Sequence, residues 1–197
     1  MLASPQILDQ VALAERGLQE LNNLQRGELK LGASLTIGNY WLPDFISRFK
    51  LQYPGIQVNC TLGNTEVIIA GTISGSFDLG LVEGEVQHSG TCNLEKKIVG
   101  NDSLVIVVGK THPWYKRTSI YLDELITMDW VMREPGSGTR QRFEQALQQW
   151  GIETSKLNSI LEFSSGEMVK AAVENGVGAA ALSELMVKKE VLLSPFS

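Results

Sequence analysis

From Glu28 onward, short apolar runs alternate with stretches of helical periodicity, and this alternation constrains the fold more than any other feature of the sequence. Strands that alternate with helices are typical of β-α-β units around a mostly parallel sheet. The predicted strands cover residues 28–34, 56–62, 78–82, 130–133, 158–163 and 178–182. Helices are predicted to end before Pro54, near Ser74, near Trp150, at Asn175 and at Leu193. The sequence therefore predicts an α/β fold.

The chain is long enough for two compact lobes. It has 197 residues, which is more than the roughly 150 residues of one average domain. Between the two halves, Leu94 to Gly109 reads as two extended segments with a hinge near Gly100, and we predict that they cross from one lobe to the other. The predicted boundaries are residues 1–27 for a leading helix, 28–100 for the first lobe and 101–197 for the second.

The leading helix carries an apolar seam. Ser4 and Pro5 form a typical helix start, and Gly27 is a typical stop. Between them, apolar residues recur at alternating spacings of four and three, which is the heptad pattern of a coiled coil; they are Ile7, Val11, Ala14, Leu18 and Leu21. We expect this helix to self-associate. The alternative is that its apolar stripe packs on the body of the same chain.

Charge and hydropathy limit the partners. The formal net charge is −5 and the pI is about 5.1, and an acidic surface disfavours contact with the phosphates of nucleic acid. No apolar run approaches the roughly 18 residues of a membrane span, and the N-terminus lacks a secretion signal. We therefore expect a cytoplasmic protein that contacts neither a membrane nor, through this segment, DNA.

The sequence carries little that resembles catalytic machinery. It contains no phosphate loop, zinc-binding motif or nucleophile elbow, and its two histidines, His88 and His112, are far apart. Glu83 and Glu85 could serve as an acid-base pair, but acids in loops are usually solvated and we expect the same here. The sequence thus predicts neither an enzyme, nor a metal site, nor a cofactor.

Hydroxyl and amide side chains recur where a predicted strand passes into a helix. A helix N-terminus offers free backbone N–H groups and the positive end of the helix dipole, which suit a small anion or carboxylate. In an open α/β sheet, ligands bind beyond the carboxyl ends of the strands, so the four turns could face one cleft. Ordinary N-capping is the alternative for each turn. The candidate residues are Ser34 with Thr36, Asn64 with Thr65, Ser137 with Thr139, and Ser164 with Ser165.

The strongest of these turns has the sequence REPGSGTR and begins at Arg133. Its two glycines, Gly136 and Gly138, allow the backbone to approach a ligand closely. Arg133 and Arg140 supply positive charge. We expect this loop to bind the ligand.

Four sequence stretches carry a family likeness: GELKLGASLTIGNYWLPDFISRFKLQYPGIQV from Gly27, GNTEVIIAGTISGSFDLGLVEG from Gly63, REPGSGTR from Arg133 and ENGVGAAALSE from Glu174. In this order and spacing, from about Gln6 to the C-terminus, the chain resembles the linker helix and effector-binding domain of LysR-type transcriptional regulators. The resemblance implies two Rossmann-like subdomains joined by crossover strands, as in periplasmic solute-binding proteins, preceded by a linker helix. A small anionic or carboxylate effector would bind between the subdomains.

The resemblance also assigns residues and partners. The linker helix would form a homodimer, with further association to a homotetramer. DNA would be bound only by an N-terminal winged helix-turn-helix that this sequence does not include, and a segment that completes the first lobe would also be missing, so the chain reads as a fragment. The implied effector contacts are Ser34, Thr36, Asn64, Thr65, Gly136, Ser137, Gly138 and Thr139, with Ser165 and Gly166 as weaker candidates.

Two other classes share the bilobal plan. The solute-binding protein of a transporter would carry a secretion or lipoprotein signal in place of a heptad helix. An enzyme on this fold would need a catalytic base, a reactive Cys or Lys, or a cofactor site, and the sequence offers none that can be placed. We therefore favour the effector-sensing domain of a regulator.

Overall fold

The computed structural model describes residues 26–86 and 94–193, with side chains up to residue 188. The predicted coiled-coil seam lies outside the described residues, so the self-association of that helix stays a prediction. The described residues form two α/β lobes, each built around its own sheet.

The first lobe contains a three-stranded parallel sheet in the order β2-β1-β3. Its elements are β1 (Gly27–Ser34), a π-helical turn (Ile37–Trp41), α1 (Leu42–Gln52), β2 (Ile56–Gly63), α2 (Thr65–Ile73) and β3 (Leu79–Leu81). β1 is the central strand, and its last four residues are buried. All three strands therefore end at the same edge of the sheet, where Ser34 and Gly63 are paired neighbours.

The crossover differs from the prediction. Only its second extended segment is a strand, β4 (Leu104–Val108), whereas residues 94–103 form no regular structure. The apolar side chains of Ile98 and Val99 are 87% and 61% exposed. A strand is stabilised by its partner strand, and within the described part of the chain no strand pairs with this segment.

The second lobe contains a four-stranded sheet in the order β4-β7-β5-β6, in which only β4 is antiparallel to its neighbour. After β4 come a 3₁₀ helix (Leu122–Thr127), β5 (Asp129–Arg133), α3 (Gly138–Gln149), a 3₁₀ turn (Thr154–Lys156), β6 (Asn158–Phe163), α4 (Gly166–Glu174), β7 (Ala179–Ser183) and α5 (Glu184–Leu193). The alternation of strands and helices is thus confirmed in this lobe as well.

The second sheet is covered on both faces. Trp130 and Met132 of β5 pack on one side with Phe143 and Leu147 of α3, whereas Val131 packs on the other side with residues of α4 and α5. β7 lies between β4 and β5 and carries small buried residues, as its composition predicted. Gly178 lies just before it with a φ of +66°, and the Asp129 carbonyl oxygen lies only 2.5 Å from where a Cβ would be. Only glycine fits that position.

The two lobes touch at the carboxyl ends of their parallel strands. The Glu66 N–H at the start of α2 donates to the Gly136 carbonyl oxygen of the loop after β5, at 3.2 Å. The Glu85 N–H donates to Gln141 Oε1 of α3 at 3.0 Å. This arrangement brings the four predicted strand-to-helix turns to the region between the lobes.

Candidate functional site

Two buried threonine hydroxyls, one from each lobe, meet at a single carboxylate oxygen. Thr36, after β1, donates to Glu83 Oε1 at 3.1 Å, and Thr139, in the first turn of α3, donates to the same atom at 2.7 Å. The exposed fractions of the two threonines are 2% and 1%. Both were predicted from the sequence as effector contacts, and the fold brings them together in one cleft.

The main chain around Glu83 completes this contact between the lobes. Thr65, in the first turn of α2, donates its hydroxyl to the Glu83 carbonyl oxygen at 3.1 Å. Gly138 approaches the same carbonyl so closely that a Cβ there would lie 2.3 Å from the oxygen. The close approach expected of the glycine loop is therefore made, but to the other lobe of the protein itself.

Asn64 and Ser137 act as ordinary helix N-caps in this structure. Asn64 Oδ1 accepts from the Val67 N–H at 3.0 Å, and Ser137 Oγ accepts from the Arg140 N–H at 3.4 Å. Gly136 has a φ of +85°, which favours glycine, and it faces the first turn of α2. The role of these three residues as effector contacts stays a prediction.

Ser34 and Ser165 keep their hydroxyls out of such capping bonds. Ser34 Oγ, at the end of β1, is buried and has no hydrogen-bond partner among residues 26–86 and 94–193. Ser165 is the N-cap residue of α4, yet its side chain makes no capping bond there. Ser165 also lines a small open pocket between the lobes. The other residues of the pocket wall include Thr36, Asn39, Tyr40, Arg133, Gly166 and Met186.

The two arginines of the REPGSGTR loop are committed to acidic partners. Arg133 is 5% exposed and pairs with Glu134 through two N–H to oxygen contacts of 2.8 and 3.0 Å. Arg140 bonds Glu144 and Glu162, each at 2.7 Å. Both guanidiniums are thus paired with carboxylates of the same lobe, and the expectation that Arg133 and Arg140 supply positive charge to a ligand stays a prediction.

Glu83 is the residue that sequence reasoning missed. It was expected to be a solvated acid, but it is partly buried and accepts two hydroxyl bonds, whereas Glu85 is exposed as expected. Burial raises the pKa of Glu83, and a repulsive contribution from Asp102 acts in the same direction. The bonds from Thr139 and Thr36 and the charge of Arg133 oppose the rise. Its place directly after β3, at the edge where β1 and β2 also end, is the signal that could have revealed it.

The described residues offer neither a metal cluster nor a membrane-spanning helix. No group of three or more His, Cys, Asp or Glu residues that could hold a metal ion occurs within the described ranges. Among those same residues, no helix combines the length and the apolar character that crossing a bilayer requires.

Residues 22–194 match the family model described as the LysR substrate binding domain. The chain belongs to this family. One relative of this LysR domain is a probable RuBisCO transcriptional regulator of Cyanidium caldarium, 34% identical over 178 residues, which are 90% of this chain and 56% of the relative. Another is the HTH-type transcriptional regulator CysL of Bacillus subtilis (strain 168), 34% identical over 167 residues, 85% of this chain and 54% of the relative.

The chain spans about half the length of these curated relatives. They are transcriptional regulators, so the alternative of a transporter's solute-binding protein loses its support. Among solved structures, the regulatory domain of CcmR from Synechocystis PCC6803, in complex with 2-PG, is similar with a TM-score of 0.72 and 26% identity. The match covers 82% of this LysR domain and 74% of the CcmR chain.

Proposed function

We propose that this domain senses a small anionic metabolite, which binds between the lobes and alters the oligomer geometry and hence the DNA binding of the full-length regulator. The observation that carries the proposal is the pair of buried hydroxyls, Thr36 and Thr139, which converge from opposite lobes on one carboxylate oxygen. A carboxylate or another oxyanion of an effector can accept from the same two donors.

Other features support an anion at this place. Ser34 lies at the same sheet edge with a buried hydroxyl that no described residue uses. Ser165 lines the pocket from the second lobe and is the N-cap residue of α4. Helix N-termini stabilise negative charge. The 2-PG complex of the CcmR regulatory domain makes 2-PG a suitable first ligand to test.

We expect Thr139→Val to weaken 2-PG binding by about ten- to a hundredfold. The substitution keeps the shape of the side chain and removes one hydroxyl donor. A hydrogen bond to a charged group contributes roughly 1.5–3 kcal/mol, and about 1.4 kcal/mol corresponds to a tenfold change in affinity. Calorimetric titration of the purified domain measures the change.

Thr72→Val is the matched control, because Thr72 Oγ1 donates to the Ile68 carbonyl oxygen within α2, outside the cleft. It should retain the affinity. Full affinity in Thr139→Val, together with a lowered Tm, would mean that Thr139 only stabilises the fold. The same result for Thr36→Val would refute the proposal that the anion binds between these two threonines. If the wild-type domain does not bind 2-PG, a thermal-shift screen with sulfite, sulfate, acetylated amino acids, nucleotides and phosphorylated metabolites identifies the anion to titrate.

Self-association belongs to the same proposal. We expect Leu18→Glu combined with Leu21→Glu to weaken dimerisation, because like charges in a heptad seam repel and cannot be buried there. Sedimentation velocity should then show a smaller species than wild type. An unchanged mass with a lower Tm would instead indicate that the helix packs on its own domain.

The remaining roles follow from charge and chemistry. With a net charge of −5, the surface of this domain disfavours DNA binding. Other parts of the full-length regulator would bind DNA. Its role is ligand sensing in the cytoplasm, without catalysis and without a cofactor.

A further inference from the structure

The carboxylate of Glu83 already holds the donors that an effector would need. Each threonine hydroxyl carries a single proton. Those of Thr36 and Thr139 are both directed to Glu83 Oε1, at 3.1 and 2.7 Å. A second oxyanion cannot accept from either hydroxyl until this carboxylate leaves.

The charges around Glu83 disfavour the binding of a second anion in the cleft. The cation that acts on it is Arg133 of β5, whose guanidinium is held by Glu134. Asp102, in the segment before β4, adds a repulsive charge. Two anions close together in a partly buried site repel each other strongly, because the effective dielectric constant is well below that of water.

We propose that Glu83 is a specificity-determining residue of the cleft, a resident competitor that any anionic effector must displace from Thr36 and Thr139. This inference rests on the proposed function. A monocarboxylate offers the two hydroxyls no more than Glu83 does, and Glu83 competes at the high effective concentration of a tethered group. The cleft therefore selects oxyanions with more acceptor oxygens than a single carboxylate, such as a sulfate, a phosphate ester or a dicarboxylate, over simple monocarboxylates.

Removing the competitor should tighten anion binding. In Glu83→Gln the amide oxygen can still accept from the threonines but the charge is gone, and in Glu83→Ala both hydroxyls are released. We expect the dissociation constant for sulfate to fall about tenfold in Glu83→Gln, and to fall further in Glu83→Ala. Acetate should bind Glu83→Ala at concentrations that leave wild type unchanged, because it takes the place of the lost carboxylate.

The control is Glu85→Gln, which removes the same charge from an exposed residue two positions away and should leave the affinity for sulfate unchanged. Calorimetry and thermal shift at constant ionic strength measure all four proteins. If Glu83→Ala does not fold, the sulfate affinity of the isosteric Glu83→Gln variant, compared with that of wild type, is the test of the proposal.

The pH dependence adds a readout that a structural role would not produce. Because burial raises the pKa of Glu83, this carboxylate takes up its proton at a higher pH than an ordinary glutamate does when the pH is lowered from about 8 to about 5. Sulfate keeps its charge over this range. The affinity of wild type for sulfate should therefore rise as the pH falls. The difference in sulfate affinity between wild type and Glu83→Gln should become smaller.

The outcomes are distinguishable. If Thr139→Val weakens sulfate or 2-PG binding while Glu83→Gln and Glu83→Ala bind no tighter than wild type, the competitor role is overturned and the proposed function stands. If neither 2-PG nor any anion of the thermal-shift screen, sulfate included, binds to wild type or to any variant, both the competitor role and the proposed function are refuted.

Discussion

Gly138→Ala is expected to weaken the binding of the proposed anionic effector by at least about a hundredfold while the domain stays folded. The new Cβ would lie 2.3 Å from the Glu83 carbonyl oxygen and 2.5 Å from Thr65 Oγ1. A main-chain carbonyl cannot rotate away as a side chain can, so the lobes must move apart and Thr139 must move away from Thr36. Two hydrogen bonds to a charged ligand, each worth roughly 1.5–3 kcal/mol, then no longer form together.

Calorimetric titration with 2-PG, or with the anion that the screen identifies, measures this loss. Gly27→Ala is the matched control, because nothing lies within 4 Å of a Cβ at that position. Its affinity and Tm should match those of wild type. Wild-type affinity in Gly138→Ala would show that the contact between the lobes is not needed for binding.

Trp130→Ala is expected to lower the free energy of unfolding of the second lobe by about 3–5 kcal/mol. Trp130 is fully buried, its ring centroid lies 4.8 Å from that of Phe143, and its Nε1–H donates to the Leu125 carbonyl oxygen at 2.8 Å. Truncation leaves a cavity in the core and a carbonyl oxygen without its donor. Urea denaturation followed by circular dichroism measures the change.

Trp150→Ala provides the comparison, because this tryptophan is 48% exposed at the end of α3. Its loss should cost less than about 1 kcal/mol. Trp130→Phe should lower the free energy of unfolding by an amount between those of Trp130→Ala and Trp150→Ala, since it retains an aromatic ring but not the N–H donor. A cost below about 1 kcal/mol for Trp130→Ala would mean that this cluster does not stabilise the lobe.

Periodicity predicted most of the strands and helices, but it could not predict which faces are covered. Alternation correctly identified β2, yet Ile56 is its only buried residue, and Cys60 and Leu62 are exposed. β2 is an edge strand, and strand order is set by contacts distant in sequence. The π-helical turn before α1 was missed for a related reason, because its apolar spacing is close to that of an α-helix.

The candidate site was only partly predictable. The rule that ligands bind at the carboxyl ends of parallel strands correctly placed Thr36, Thr65 and Thr139 in one region. The same rule applied to β3 would have included Glu83. The bond of Arg140 to Glu162 was beyond prediction, because Glu162 lies on a different element and only the pairing of β5 with β6 brings it near.

The unequal cores of the two lobes have a thermodynamic consequence. Among the described residues, five apolar side chains are buried in the first lobe and fourteen in the second. Regions with few buried apolar contacts open locally at a lower free energy than the rest of a protein. A ligand that joins Thr36 to Thr139 binds only when both lobes are intact, so its binding energy adds to the stability of the weaker one. The signal that such a domain transmits can then reside in how often its first lobe opens, as well as in the positions of its atoms.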